Sequence, residues 1–239
     1  MPRFFIEDIG EENIIISGSE AEHISKSLRM QKGDELIVCD TKGNDYFCII
    51  DNISDVVNVK IINKEKSVTE PDVNVTIYQA MPKLDKLETI VQKCVELGAV
   101  RIVPVLTKRC ISRPDEKNMN KKIERLSKIS LEAAKQSGRG IIPVVEKLVS
   151  FKTAVDRMKT DDVGIILYEG GGKSLSDIDF TESRNISVLI GSEGGFDSDE
   201  VEYAENNGIQ RVGLGKRILR CETAPIASLS IIMHLTKNM

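Results

Sequence analysis

Tryptophan is absent from this chain of 239 residues, histidine occurs only as His23 and His234, and aromatic residues make up 4%. Two histidines so far apart in sequence argue against a histidine-based metal centre and against a Cys–His nucleophile pair. Five cysteines, Cys39, Cys48, Cys94, Cys110 and Cys221, form an odd set with no C-x-x-C pair. Neither a disulfide framework nor a zinc knuckle is suggested; reduced and mostly buried thiols, acting as small hydrophobes, are expected. No metal site is expected. Long apolar stretches are missing too: the longest run of apolar residues and glycine is six, Val163 to Tyr168, where a membrane span would need about 18. The opening MPRFFIEDIGEE turns acidic early and has no hydrophobic stretch followed by a small-residue cleavage site, so a cytoplasmic protein is expected, without secretory signal or membrane partner. Disorder is excluded as the general state, because the 41% apolar fraction plus 17 glycines reaches the roughly 45–50% of ordinary globular proteins.

The formal net charge of −4 conceals an asymmetry. Residues 1–70 carry 8 basic and 14 acidic side chains, a net of −6, whereas residues 80–140 carry 14 basic and 7 acidic, a net of +7. An acidic total therefore leaves room for a polyanionic partner. The basic excess lies in Lys108, Arg109, Arg113, Lys117, Lys121, Lys122, Arg125, Lys128, Lys135 and Arg139, with an acid-free cluster at Arg211, Lys216, Arg217 and Arg220. Such clusters suit salt-dependent neutralisation of phosphates, and they suit a solvated helix face as well.

Up to about residue 65 the apolar runs are short and separated by turn signals: RFFI, NIII, DELIVCD, DYFCIID and VVNVKII, with T-K-G-N at Thr41 to Asn44 joining two of them. Short, closely spaced strands suggest a small barrel or sandwich. One short helix interrupts them, Ser19 to Arg29, where Ser19 and Glu22 have capping-box spacing. The polar stretch Asn63 to Asp72 reads as a linker, which divides the chain into domains 1–70 and 71–239. Beyond it VNVTIYQA reads as a strand, and LDKLETIVQKCVELG places Leu84, Leu87, Val91, Cys94 and Val95 on one helical face before Gly98. Strands at VRIVPVL, PVVEKL, VGIILY, ISVLI and RVGL then alternate with helices near 115–137, 151–159, 198–207 and 224–237. That alternation argues for an α/β domain built on a parallel sheet covered on both sides.

Three glycine-bearing loops follow strands in the last third of the chain. VGIILY runs into E-G-G-G-K (169–173), ISVLI into G-S-E-G-G-F (191–196), and RVGLG into K-R-I-L-R-C-E-T-A-P (216–225). In open α/β sheets ligands bind at the carboxyl ends of strands, and glycines there let main chain approach a ligand closely. A pocket built mainly from backbone is expected, and a side chain placed at Gly194 is expected to enter it. A Walker loop fails because the position five before Gly172 is Leu167; a dinucleotide fingerprint fails because the glycines lie late and read G-x-x-G-G. Asp197 and Glu200 suit a helix start, and Pro225 suits the first turn of the last helix. That helix is apolar from Ala224 to Leu235 except at Ser228, Ser230 and His234, which suits core packing or a second subunit.

HISKSLR near the start, KCVELG (93–98), LEAAKQSGR (131–139), LIGSEGGF (189–196) and LGKRILRCETAP (214–225) resemble, nearly end to end and in order, the RsmE family of small-subunit ribosomal RNA uridine N3-methyltransferases of the SPOUT superfamily. The resemblance implies an amino-terminal PUA-like RNA-binding β-barrel and a carboxyl-terminal α/β domain with a parallel sheet and a deep trefoil knot. It also implies S-adenosyl-L-methionine as donor, a homodimer, and a uridine in the decoding region of 16S rRNA, within the assembled small ribosomal subunit, as acceptor. The implied cofactor residues are Leu167, Tyr168, Glu169, Gly191, Glu193, Gly194, Gly195, Leu214, Gly215, Ile218, Leu219, Arg220 and Thr223. Ser192 departs from the proline that the family often carries there.

For that chemistry, negative charge developing on the uracil oxygens calls for a fixed cation, and Arg220 is the candidate. Glu222 is a conceivable general base if burial raises its pKa, transfer to solvent is equally consistent, and no base is assigned. Arg3, Arg29, Arg109, Arg113, Arg125 and Arg139 are expected on phosphates. His23 is open between the barrel's RNA face and an ordinary surface position.

Overall fold

The computed structural model describes residues 1–239, which divide into two compact units, residues 1–70 with 134–142 and residues 71–133 with 143–239. In the first unit β1 (Arg3–Phe5), β2 (Asn13–Ile16), β3 (Glu35–Cys39), β4 (Asn44–Ile53) and β5 (Val57–Lys66) form one sheet in the order β1-β3-β4-β5-β2. Only β1 and β3 run parallel. Alternation sets the core: in β2, Ile14 and Ile16 are buried while Ile15 between them is exposed, as a period of two requires. The hairpin turn at Thr41 to Asn44 forms because the Asp40 carboxylate accepts hydrogen bonds from the amides of Lys42 and Asn44 (2.8 and 3.0 Å), an Asx turn.

Three details differ from the sequence expectations. The strand β5 continues through Lys66 into the supposed linker, since β4 offers it a pairing partner as far as Asn44. The short helix α1 (Gly18–Glu22) starts after Ser17 with no side-chain cap, so the Ser19–Glu22 box does not form, and it widens into a π-helical turn over His23–Ser27. Residues 134–142, expected in the second domain, cluster with the first unit. The physical cause is Glu70, whose carboxylate takes a bidentate pair from Arg139 (2.9 and 2.6 Å) and the Gly140 amide (2.7 Å).

The second unit holds β6 (Asn74–Ala80), α2 (Lys86–Glu96), β7 (Arg101–Leu106), most of α3 (Glu116–Ser137), β8 (Val144–Val145), β9 (Val149–Ser150), α4 (Phe151–Met158), β10 (Val163–Leu167), β11 (Asn185–Ile190), α5 (Ser198–Asn206), β12 (Gln210–Val212) and α6 (Thr223–Leu235). The seven strands are all parallel, in the order β12-β10-β11-β6-β7-β8, with β9 also on β7. Every residue of β10 is buried, as expected for a strand covered on both faces. Helices α4 and α5 close one face through a cluster that includes Phe151, Met158, Ile166, Leu189, Phe196 and Val201. Helix α6 packs on α2, β6 and β11.

Leu84 corrects the α2 pattern. It precedes the helix, is 81% exposed and has φ +55°; the buried face consists of Leu87, Ile90, Val91, Cys94 and Val95.

Candidate active site

Adjacent parallel strands bring their carboxyl ends to one sheet edge, so the neighbours β12, β10 and β11 place their three glycine loops side by side. The loops enclose a cavity of about 510 Å³ lined by Leu167, Tyr168, Glu169, Gly191, Glu193, Gly194, Gly195, Leu214, Gly215, Ile218, Leu219 and Arg220. Thr223 and Glu222 are not on its wall, although Ala224 is. The wall also holds Ser192, Lys216, Arg217 and Cys221, which taking the loops whole would have found, and Lys86. Lys86 comes from the first residue of α2 and carries no local motif to announce it.

Two of the loops take their shape from a backbone that disfavours a side chain at a particular point. A Cβ on Gly172 would lie 2.5 Å from the Arg211 carbonyl oxygen and 2.9 Å from the Val212 nitrogen. That approach lets Lys173 donate to Arg211 and Gly213 donate to Lys173, both at 3.0 Å. Gly195 has φ +65°, and its amide closes a tight turn on the Ser192 carbonyl at 2.9 Å. Downstream, Asp197 and Glu200 form a full capping box at the start of α5. Gly194 differs from expectation. Its Cβ would meet Arg109 Cβ at 3.1 Å and the Arg109 carbonyl oxygen at 3.3 Å, so a side chain there presses on the 107–113 loop and not into the cavity.

The charged groups at the cavity form one cluster. Lys86 Nζ lies 3.0 Å from Glu193 and 3.1 Å from Glu222, and the Cys221 thiol donates to Glu222 at 3.3 Å. Burial works against the Glu222 charge, but its own amide, the thiol and Lys86 outweigh it and hold the carboxyl below the usual carboxylate range. The raised pKa that a general base would need is therefore not there. Glu193 is likewise held low, its burial outweighed by its own amide, Lys86 and the Lys83 amide. Burial, with Glu222 beside it, pushes the Cys221 thiol up to about 12, which leaves it no nucleophilic thiolate near neutral pH. Arg220 reaches Glu222 only at 4.0 Å and its side chain is 83% exposed, so its guanidinium stands at the cavity available to an incoming anion.

An RNA methyltransferase domain matches residues 69–233, and an RNA methyltransferase PUA domain matches residues 16–55. Ribosomal RNA small subunit methyltransferase E of Bacillus subtilis is 37% identical, covering 99% of this chain and 98% of that protein. The chain belongs to the ribosomal RNA small subunit methyltransferase E family. The Mesomycoplasma hyopneumoniae member is 32% identical over 96% of this chain and 98% of its own length. A crystal structure of the Neisseria gonorrhoeae member bound to S-adenosyl methionine superposes with a TM-score of 0.90, at 28% identity and 98% coverage of both chains.

The arginines expected on RNA separate into three groups. Arg3 is half-buried in a bidentate pair with Asp45 (2.6 and 2.9 Å), and Arg139, 2% exposed, is paired with Glu70. Neither is placed to meet a phosphate. Arg113 spends its guanidinium on the carbonyls of Thr107, Lys108 and Cys110, Arg109 donates to the Gly194 carbonyl at 3.2 Å, and Arg125 pairs with Glu88 at 2.8 Å. Arg29 is exposed, as is His23, whose ring stands edge-on to Phe4.

Proposed function

We propose that this chain transfers a methyl group from S-adenosyl-L-methionine to N3 of a uridine in the decoding region of 16S rRNA, acting as a homodimer on the assembled small subunit in the cytoplasm. The observation that carries the reading is the cavity walled by three glycine loops at the carboxyl edge of a parallel sheet, in a member of an RNA methyltransferase family. The residues present fit the donor. The wall is largely main chain, and Ser192 Oγ is buried on it without a protein hydrogen-bond partner, a polar atom available to a polar ligand. Leu167 to Glu169, Gly191, Ser192, Gly194, Gly195 and Leu214 to Leu219 would hold it, and when bound it supplies an electrophilic sulfonium methyl. No helix is long and apolar enough to cross a membrane. The exposed Ile231 and Leu235 of α6 support a subunit contact on that face, and the reading includes the trefoil knot.

The protein's own part is orientation and charge. Fixed walls hold the reacting partners in line, which oriented systems make worth about 7–11 kcal/mol. Arg220 counters the charge that develops on the uracil oxygens. Glu222, kept ionised by Lys86 and the Cys221 thiol, serves as a brace, and the imide proton leaves to solvent.

The test is incubation with methyl-labelled S-adenosylmethionine and either free 16S rRNA or intact small subunits, followed by nucleoside mapping. Label in 3-methyluridine from intact subunits is expected. A ribose 2′-O-methyl product would move the enzyme to another specificity, and RNA binding without transfer would make it an assembly factor.

For RNA affinity, the exposed lysines of α3, Lys117, Lys121 and Lys128, take the place of the engaged arginines. Changing all three to glutamine is expected to flatten the log–log salt dependence of RNA binding by about 2 to 2.7, at roughly 0.7–0.9 per lost phosphate contact. An unchanged slope in a binding titration would assign the RNA to another face.

A further inference from the structure

We infer that Lys86 is a positioning residue for the cofactor cavity, a single ammonium that ties the loop after β11 to the loop after β12 through Glu193 and Glu222. The inference rests on the cavity being the S-adenosylmethionine site. Three observations meet on it.

First, Lys86 opens α2, where the partial positive charge of a helix amino terminus disfavours a cation. A lysine there needs carboxylates in front of it, and it has two, at 3.0 and 3.1 Å. Second, the turn that delivers it is strained. Leu84 adopts φ +55°, a left-handed conformation uncommon outside glycine and asparagine, and in it the Lys83 amide donates to both Glu193 oxygens at 3.1 and 3.3 Å. Backbone strain of this kind persists where the surroundings fix it and points to a function. Third, the two carboxylates come from different loops around one cavity: Glu193 lies on its wall, and Glu222, off the wall, directly follows the lining residue Cys221 in the loop after β12.

Without the ammonium, two like charges confront each other across the seam between the loops. The other charged or titratable groups around the cluster are the protonated Cys221 thiol, the exposed Arg220, and Lys216, Arg217 and Glu169 on the cavity wall. Arg220, at 4.0 Å from Glu222, is too far and too solvated to replace Lys86.

The experiment is calorimetric titration of S-adenosylmethionine into the full chain, comparing wild type with Lys86→Met, Lys86→Arg and the triple variant Lys86→Met/Glu193→Gln/Glu222→Gln. Lys86→Met is expected to bind about tenfold more weakly near pH 8, equivalent to about 1.4 kcal/mol, with a melting temperature close to wild type. Its affinity should recover as the pH falls toward about 5.5, because unclamped neighbouring carboxylates take up a proton that relieves their repulsion. Wild type should stay level over that range, since its two carboxyls are held below their usual values. Lys86→Arg and the triple variant should regain most of the loss, and in methyl transfer Lys86→Met should raise the KM for the donor with kcat nearly unchanged. Wild-type affinity in Lys86→Met, or a loss that neither pH, arginine nor the paired glutamines repairs, overturns the clamp alone. Failure of wild type itself to bind the donor overturns the cofactor reading and the clamp with it.

Discussion

Replacing Gly195 with valine is expected to weaken S-adenosylmethionine binding about tenfold while the parallel sheet stays folded. Gly195 has φ +65°, a conformation costing an L-residue roughly 1–2 kcal/mol. Its Cβ would lie 2.5 and 3.0 Å from the two Glu169 carboxylate oxygens. Glu169 is exposed and its carboxylate ends a flexible side chain that can swing aside, so the cost falls on the glycine turn, which lines the cavity. The relaxed loop must then be forced back when the donor binds. With the backbone strain alone at roughly 1–2 kcal/mol, the expected penalty matches about a tenfold loss, about 1.4 kcal/mol. Gly194→Val, whose side chain meets Arg109, should have the smaller effect. Calorimetric affinity with circular dichroism as the folding control checks both. Equal, wild-type affinities would detach this turn from the cofactor.

Arg139→Ala should act on stability. Its side chain and that of Glu70 are 3% and 18% exposed, and the pair is bidentate. Removing one partner of a buried ion pair strands the other charge and typically costs about 3–5 kcal/mol. Denaturant unfolding, with amide exchange of residues 134–142, should register the loss in the first unit. Full stability together with weakened RNA binding would return Arg139 to the RNA surface.

These two residues show where sequence was sufficient and where it was not. Gly191, Gly195 and Gly215 were legible because strand, turn and helix start are consecutive, and the capping box at Asp197 and Glu200 formed as spaced. The buried period of β2 and the helical face from Leu87 to Val95 were equally local. Arg139 and Arg3 were not legible as ion-pair partners, because a count of cations says nothing of a carboxylate brought near by folding; Glu70 and Asp45 lie far away in sequence. Leu84 fits a helical period and still falls outside the helix, because a left-handed residue breaks the register without altering the spacing. Lys86 was invisible for the same reason as the arginines: its partners arrive from β11 and α6, at the other end of the domain.

The position of β11 carries a consequence for synthesis. It lies between β10 and β6, and β10 pairs otherwise only with the later β12, so a nascent chain that has emerged only as far as β10 has an unpaired edge on β6 and no sheet partner for β10. Such edges recruit stray strands. Late, long-range insertion is also intrinsically slow. The growing polypeptide thus passes through a sticky interval that ends only when residues 185–190 pair with β6 on one side and β10 on the other and, with the same movement, bring the glycine turn behind them to its place.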